Sequence, residues 1–243
     1  LKNKKYFESK RKINITYLCY ANKTVGINSE ICTMNILIVF PTEIEAKNFI
    51  PQKSEHCIRI LVSGVAVYNT LYNLTQYCSN NNPDLIIHGG IAGTFTNSYS
   101  YGDVVCVIED CFADVGVLEH ATFKNLFDLE LAHEHTFPFT NGFIHSSTKY
   151  CSSEIPQVRG ITVHEITSTD ERKNILEQKY NPDIESMEGA AVHFVCAHQN
   201  IPYVHLRAIS NKVGDRNKNN WHVSEAIQSL HHAIFTTIKL LSI

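Results

Sequence analysis

Asp183–Trp221 reads DIESMEGAAVHFVCAHQNIPYVHLRAISNKVGDRNKNNW. An acidic turn, a helix, a buried strand and a polar loop follow one another almost without linkers. Ala190, Ala191, Phe194, Val195 and His198 recur at intervals of three and four, which predicts a helix over Met187–Gln199. Gly189 and the paired alanines let that helix lie close to a sheet. Asn200 and Pro202 stop it. Tyr203–Ser210 (YVHLRAIS) reads as a buried strand. In an open α/β sheet, strand ends and helix starts meet at the ligand crevice. Glu188 falls at the helix start and Asn211 at the strand end, so a carboxylate and an amide reach that rim. The pair suits a polar small molecule. Taken alone, Glu188 is also an ordinary first-turn acid favoured by the helix dipole.

The rest of the chain bounds the reading. Its 243 residues suffice for one α/β domain with a sizeable core. The net charge of −3 offers no basic field for nucleic acid. No apolar run approaches the roughly 20 residues of a membrane helix. The eight cysteines form no CxxC and read as reduced core thiols of a cytoplasmic protein. Residues 1–33 are rich in Lys and Asn and lack sustained periodicity. Met34 then opens a clean strand, so 1–33 is expected to be a non-domain extension upstream of the native start, and 34–243 the domain.

Several spacings in the opening stretch carry a family resemblance. ESMEGAA at Glu185–Ala191, Val195–Cys196, Ile201–Pro202, RAISN at Arg207–Asn211, then Arg216 and Trp221, resemble the C-terminal signature of the purine nucleoside phosphorylase and nucleosidase superfamily. Within it the run is most similar to the futalosine hydrolases of the alternative menaquinone pathway. The resemblance runs from Met34 to the end of the chain. It implies a single-domain three-layer α/β/α fold with a mixed central sheet. It also implies a homo-oligomer, dimer or higher, without metal or organic cofactor.

Taken in order, strand Ile36–Phe40 leads into Pro41-Thr42-Glu43. Thr42 is a candidate N-cap and Glu45 completes its capping box. The resemblance gives Glu45 a sharper role, positioning and activating water, with Glu43 as the nearby alternative. Cys57–Ser63 reads as a strand, Val67–Cys78 as a helix and Asp84–His88 as a third strand. That strand is expected to run into a glycine loop, Gly89–Phe95. The loop is neither a Rossmann fingerprint nor a P-loop. In the family, Gly90, Ile91, Ala92 and Gly93 would contact base and ribose. Tyr101–Ile108 is the expected fourth strand, and Asp114 is structural or near the site. Residues 117–150 are poorly patterned, and His133–His135 (HEH) there lacks the HExxH spacing of a metal site. An aromatic usually stacks on the base; Phe112, Phe137, Phe139, Phe143 and Tyr150 are the candidates.

The chemistry implied is cleavage of a ribosyl–purine bond. It needs a donor at the leaving base, a carboxylate on the ribose hydroxyls and an activated water. Asn211, Glu188 with the Met187 backbone, and Glu45 are the expected suppliers. Adenine-specific relatives carry Asp where Asn211 stands. An amide cannot transfer a proton, but its NH2 can donate to N7 or O6 of a 6-oxopurine. Arg216 is a candidate for a substrate carboxylate at the 5′ side, or a solvated loop residue. The acids of the first loop would repel phosphate, which favours water as nucleophile. The alternatives are a methylthioadenosine/adenosylhomocysteine nucleosidase, a related purine nucleoside hydrolase or phosphorylase, and a non-catalytic nucleoside-binding relative.

Overall fold

The computed structural model describes residues 33–51, 54–146 and 148–241, together with 15–16. Strand β1, Ile15–Thr16, pairs antiparallel with Leu61 and Ile60 of the strand Cys57–Val62. The rest of the expected extension up to residue 32 lies outside the described residues.

The first half alternates strand and helix. β2 (Asn35–Phe40), α1 (Glu43–Ala46), β3 (Cys57–Val62), α2 (Val67–Asn81) and β4 (Leu85–Thr94) build a parallel β3-β2-β4 sheet. β2 is an unbroken apolar run because helices cover both of its faces. On one face Ile36, Ile38 and Phe40 pack with Leu230, Ile234 and Ile238 of α5 (Val223–Leu240). On the other, Leu37 and Val39 pack with Leu74 of α2 and Val192 and Val195 of α4 (Gly189–Gln199). These are the three layers. Each fully buried aliphatic contributes about 1.5–3 kcal/mol.

The second half curls the sheet into a ring. β5 (Val104–Asp110), β9 (Gln157–Thr162), β10 (Ile184–Ser186) and β11 (Tyr203–Lys212) join β4 in the closed path β4-β10-β9-β5-β11-β4. Ala92, Val105, Val107, Val158, Ile184 and Ile209 fill its interior, with β-branched residues from four of its strands. Between β5 and β9 lie the hairpin β6 (Gly116–Glu119) and β7 (Thr122–Asn125) and the short strand β8 (Ile144–His145), which pairs with β5. α3 (Asp170–Tyr180) precedes β10.

Three stretches differ from expectation. Gly89–Thr94 is strand, not loop, because β11 pairs along its whole length from Ile86 to Thr94. Asp183–Ser186 is no acidic turn: it contains β10, wedged between β4 and β9. The unpatterned 117–150 segment contains the β6–β7 hairpin, whose turn residues His120 and Ala121 both have positive φ, as a two-residue hairpin turn demands. The six described cysteines are free thiols, five of them buried; Cys19 and Cys32 lie outside the described residues. No described helix is long and apolar enough to cross a membrane.

One edge of β4 is incomplete. β2 covers it from Leu85 to His88, and β10 covers it at Gly93 and Thr94. Between them lies a seam where, among the described residues, β4 has no neighbouring strand on that side.

Candidate active site

The seam exposes the backbone of Ile91, whose polar groups need partners. Two side chains supply them. The Ile91 N–H donates to Glu45 Oε1 at 3.0 Å, and Arg207 Nη1 donates to the Ile91 carbonyl at 3.3 Å. Arg207 sits on β11 beside Gly90 and reaches the seam only by crossing that residue. A Cβ on Gly90 would stand 2.0 Å from Arg207 Nη1 and 3.2 Å from Glu45 Oε1. Only glycine fits there.

Glu45 is brought to the seam by α1. Thr42 caps that short helix, its hydroxyl accepting from the Glu45 N–H at 3.2 Å. The same hydroxyl donates to Glu45 Oε2 at 2.6 Å. So the carboxylate takes the Thr42 hydroxyl and the Ile91 amide. His231 of α5 donates to the Glu45 carbonyl at 2.7 Å and pins the backbone as well. Glu43, the alternative acid, is exposed.

Glu188 occupies the N-cap position of α4, but its side chain makes no cap bond and turns to Ala66 and Arg207 instead. Its Oε1 accepts from the Ala66 N–H at 3.0 Å and its Oε2 pairs with Arg207 Nη2 at 3.4 Å. Burial raises its pKa, and the Arg207 guanidinium opposes that rise. Ala66 holds φ 77°, ψ 158°, a conformation suited to glycine, and aims its amide at this carboxylate.

Behind Glu188 runs a directed chain of hydrogen bonds. Arg207 Nε donates to His205 Nε2 at 2.7 Å, so His205 carries its proton on Nδ1 and donates to His193 Nε2 at 3.0 Å. His193 in turn donates through Nδ1 to the Ile144 carbonyl at 3.1 Å. Arg207 Nη2 also donates to His88 Nε2 at 3.1 Å. All three histidines are held neutral: burial, then the neighbouring guanidinium, pushes His88 well down, burial, then His88 and the guanidinium, pushes His205 well down, and burial pushes His193 down to about 3. Asp110 lies alongside. Its Oδ1 accepts from Thr162 at 2.9 Å, its Oδ2 has no hydrogen-bond partner, and burial pushes its pKa up to about 7. A Cβ on Gly189 would stand 2.0 Å from that oxygen, so Gly189 is what lets α4 seat on the sheet.

Asp110, His193 and His205 are the one group among the described residues with the donor set and spacing for a metal. Their ring nitrogens are already committed to one another, to Arg207 and to Ile144, and the adjacent guanidinium would repel a cation. The chemistry of this donor set does not favour an ion.

Glu45, Met187, Glu188 and Asn211 all line one cavity of about 360 Å³, together with Ile91, Ala92 and Gly93. That volume is within the range of small-molecule sites. Gly90 lies behind the lining, making room for Arg207. Asn211 accepts from Ser210 Oγ at 2.8 Å and spends one Nδ2 hydrogen on the Lys212 carbonyl at 2.9 Å, leaving the second hydrogen for a ligand. Arg216 lines the outer cavity, its guanidinium 5.1 Å from the Trp221 ring centroid. Asp114 is outside the cavity. It accepts from the amides of His164 and Glu165 and pairs with Arg172 at 3.0 Å, bracing the loop that carries Ile166 and Thr167.

The expected stacking aromatic needs correction. Phe112 and Phe139 pack on Phe194, Phe137 on His198, Phe143 on Tyr180, and Tyr150 against the α5-side core; none of the five lines the cavity. Ile166 and Trp221 are there instead. Two residues received no role from the sequence, Arg207 and Glu185. The available signal for Arg207 was a lone cation inside an apolar strand, since a buried Arg is almost always paired.

Carboxylates, a guanidinium and an amide around a cavity of about 360 Å³ agree with the family model that the sequence matches over residues 47–242. The chain belongs to the phosphorylase superfamily. Glu45 lies just ahead of the matched span, so its place is given by geometry alone. Among its relatives in the superfamily, futalosine hydrolase of Thermus thermophilus is 28% identical over 177 residues, covering 72% of this chain and 78% of the relative. 5′-Methylthioadenosine/S-adenosylhomocysteine nucleosidase of Bacillus thuringiensis is also 28% identical, over 168 residues, covering 67% and 71%. The solved structure of Helicobacter pylori futalosine hydrolase superimposes with a TM-score of 0.71 at 16% identity, covering 85% of this chain and 98% of that one. At that identity the superposition speaks for the fold.

Proposed function

We propose that the protein hydrolyses the N-glycosidic bond of futalosine, releasing hypoxanthine and dehypoxanthine futalosine, a step of menaquinone biosynthesis. The observation that carries this reading is the convergence of Glu45, Glu188 and Asn211, far apart in sequence, on one cavity. Glu188 holds the ribose hydroxyls, assisted by the Met187 backbone. Glu45 takes the proton of a water whose oxygen bonds to C1′. The C1′–N9 bond breaks and its electron pair leaves with the base. Asn211 donates its remaining hydrogen to the departing purine and stabilises that charge. Arg216, held over Trp221, meets a carboxylate on the 5′ substituent. The protein acts in the cytoplasm as a homo-oligomer.

A methylthioadenosine/adenosylhomocysteine nucleosidase is the second reading, favoured by the Bacillus thuringiensis relative. Asn211 weighs against it, since an amide cannot hand a proton to adenine. Steady-state hydrolysis of futalosine, methylthioadenosine and inosine, each with and without phosphate, tests the choice. Phosphate-independent turnover with futalosine far ahead is the expected result. Turnover that requires phosphate overturns hydrolysis, a preference for methylthioadenosine overturns the substrate, and binding without turnover leaves a nucleoside-binding protein.

A further inference from the structure

Of the six described cysteines, Cys151 alone is not buried. Cys57, Cys78, Cys111 and Cys196 are sealed in the core. Burial pushes Cys78 up to about 11 and holds Cys111 and Cys196 well above the usual thiol value. Thiols so placed are inert. Cys106 is buried too, but its sulfur meets that of Cys151.

The chain brings the two together by folding back. Cys106 lies in β5, opposite Gln157 of β9. Fully extended, the chain from Cys151 to Gln157 would reach roughly 20 Å away. A turn prevents that. The Ile155 N–H donates to the Ser152 carbonyl at 3.1 Å, and the Cys106 N–H donates to the Pro156 carbonyl at 2.8 Å. Tyr150, Cys151 and Ile155 thus pack on the core cluster that holds Cys106, Leu206 and Ile234.

Within the pair the roles are unequal. The Cys106 S–H donates to the Cys151 sulfur. That bond, then burial, raises the Cys106 pKa; the same bond lowers that of Cys151, against burial. As a thiol, Cys151 Sγ donates to the Ser152 carbonyl at 3.7 Å. The half-exposed partner is the one poised to become a thiolate, and the buried partner keeps its proton.

We propose that Cys106 and Cys151 are a peroxide-responsive dithiol, whose disulfide clips the far end of the β6–β8 excursion to β5. The Cys151 thiolate attacks hydrogen peroxide. An S–O bond forms, the O–O bond breaks, and hydroxide leaves and takes up a proton to become water. The Cys106 sulfur then attacks Cys151. The S–S bond forms, the S–O bond breaks, and the oxygen departs as water with the Cys106 proton. Two thiols lose two electrons and one peroxide becomes two waters. In a reducing compartment, thiol exchange reopens the bond. Cys106 is opposite Leu206 and packs with it toward α5, while the next residue, Arg207, projects to the other face and Glu188. The clip therefore fastens the fold without entering the cavity, and it does not depend on the hydrolase reading.

The test treats reduced, native protein with a slight excess of hydrogen peroxide, blocks the remaining thiols and maps the peptides without reduction. The expected product is a Cys106–Cys151 bridge that a reductant removes. Because the bridge closes the long loop that contains β6, β7 and β8, Tm should rise by about 10 °C. Cys151→Ser should abolish that rise. In Cys106→Ala the sulfenic acid has no partner, and the trap dimedone should label Cys151. A bridge to another cysteine, a bridge between two copies of the chain, or Cys151 carried on to sulfinic acid without bridging overturns the proposal. So does a Cys106–Cys151 bridge that leaves Tm unmoved, and so does a pair that stays reduced. The wild-type map decides the bond by itself, so a variant that misfolds does not hide the answer.

Discussion

The floor and the rim of the cavity are built on opposite principles. At the floor, Arg207 is 1% exposed and Glu188 4%, and the two charges pair at 3.4 Å. At the rim, Ile44 of the short helix α1 is 66% exposed and Val65, in the turn before α2, 43%. Arg207 and Asn211 take their places from strand register, which moves only if the sheet moves, and Glu45 and Glu188 are tied to that sheet by hydrogen bonds to Ile91 and Arg207. Rim residues such as Val65 take theirs from turns, which tolerate change. A site divided in this way can keep one bond-breaking apparatus while the group it admits at the mouth varies. Desolvated charge is costly, and Arg207 offsets that cost with hydrogen bonds to Glu188, His205, His88 and Ile91.

The largest effect should come from the floor. Glu45→Gln keeps an oxygen for the Ile91 amide but cannot accept the water's proton. We expect kcat to fall by about 10²–10⁴-fold with the melting temperature nearly unchanged; steady-state kinetics and a thermal melt check both halves, and a kcat within threefold of wild type removes Glu45 from the chemistry. Next is Asp110, deeper still. Its folded pKa of about 7 lies above the unfolded value, so its contribution to stability is full in acid and is lost as pH rises from about 4 through about 7. Asp110→Asn should match wild type in acid and exceed it at neutral pH, by at most about 4 kcal/mol. Melting curves across that window that stay parallel contradict the assignment.

Rim changes should act on binding alone. Arg216→Ala is expected to raise KM for a 5′-carboxylate substrate about tenfold and leave kcat in place, the signature of uniform binding. A matching fall in kcat would erase the division between floor and rim. The smallest effect lies where the two meet. Ala66→Gly relieves a positive φ while keeping the amide on Glu188, and should stabilise the fold by about 1 kcal/mol, read from a denaturant midpoint. A destabilised variant would mean that Ala66 packing outweighs its backbone strain.

What could be read from the sequence follows the same line. Glu188 and Asn211 were legible because a helix and strand of plain periodicity bracket them within one stretch. The Thr42 capping box made Glu45 legible only as an ordinary helix-start acid; its functional role was implied by the family resemblance. Arg207 was not given a role, because its partners His88, Glu188 and Ile91 converge only when β4 and β11 pair. Gly89–Thr94 looked like a loop because two adjacent glycines depress local strand propensity; pairing with β11 overrides them. The stacking aromatic was sought among five phenylalanine and tyrosine residues, yet Ile166 and Trp221 line the cavity, and side-chain choice at a loop tip leaves no periodic trace.

One detail of the interrupted β4 edge reaches into the dynamics of catalysis. Glu45 stands in for a missing rung of the ladder, closing with its carboxylate the hydrogen bond that an absent strand would have made to Ile91. To drift, it would have to strand a main-chain amide away from water, so its excursions are those of sheet backbone and not those of a surface side chain. The carboxylate proposed as the base is thereby held like a fixed jaw, with the polypeptide's own pairing rules as the clamp.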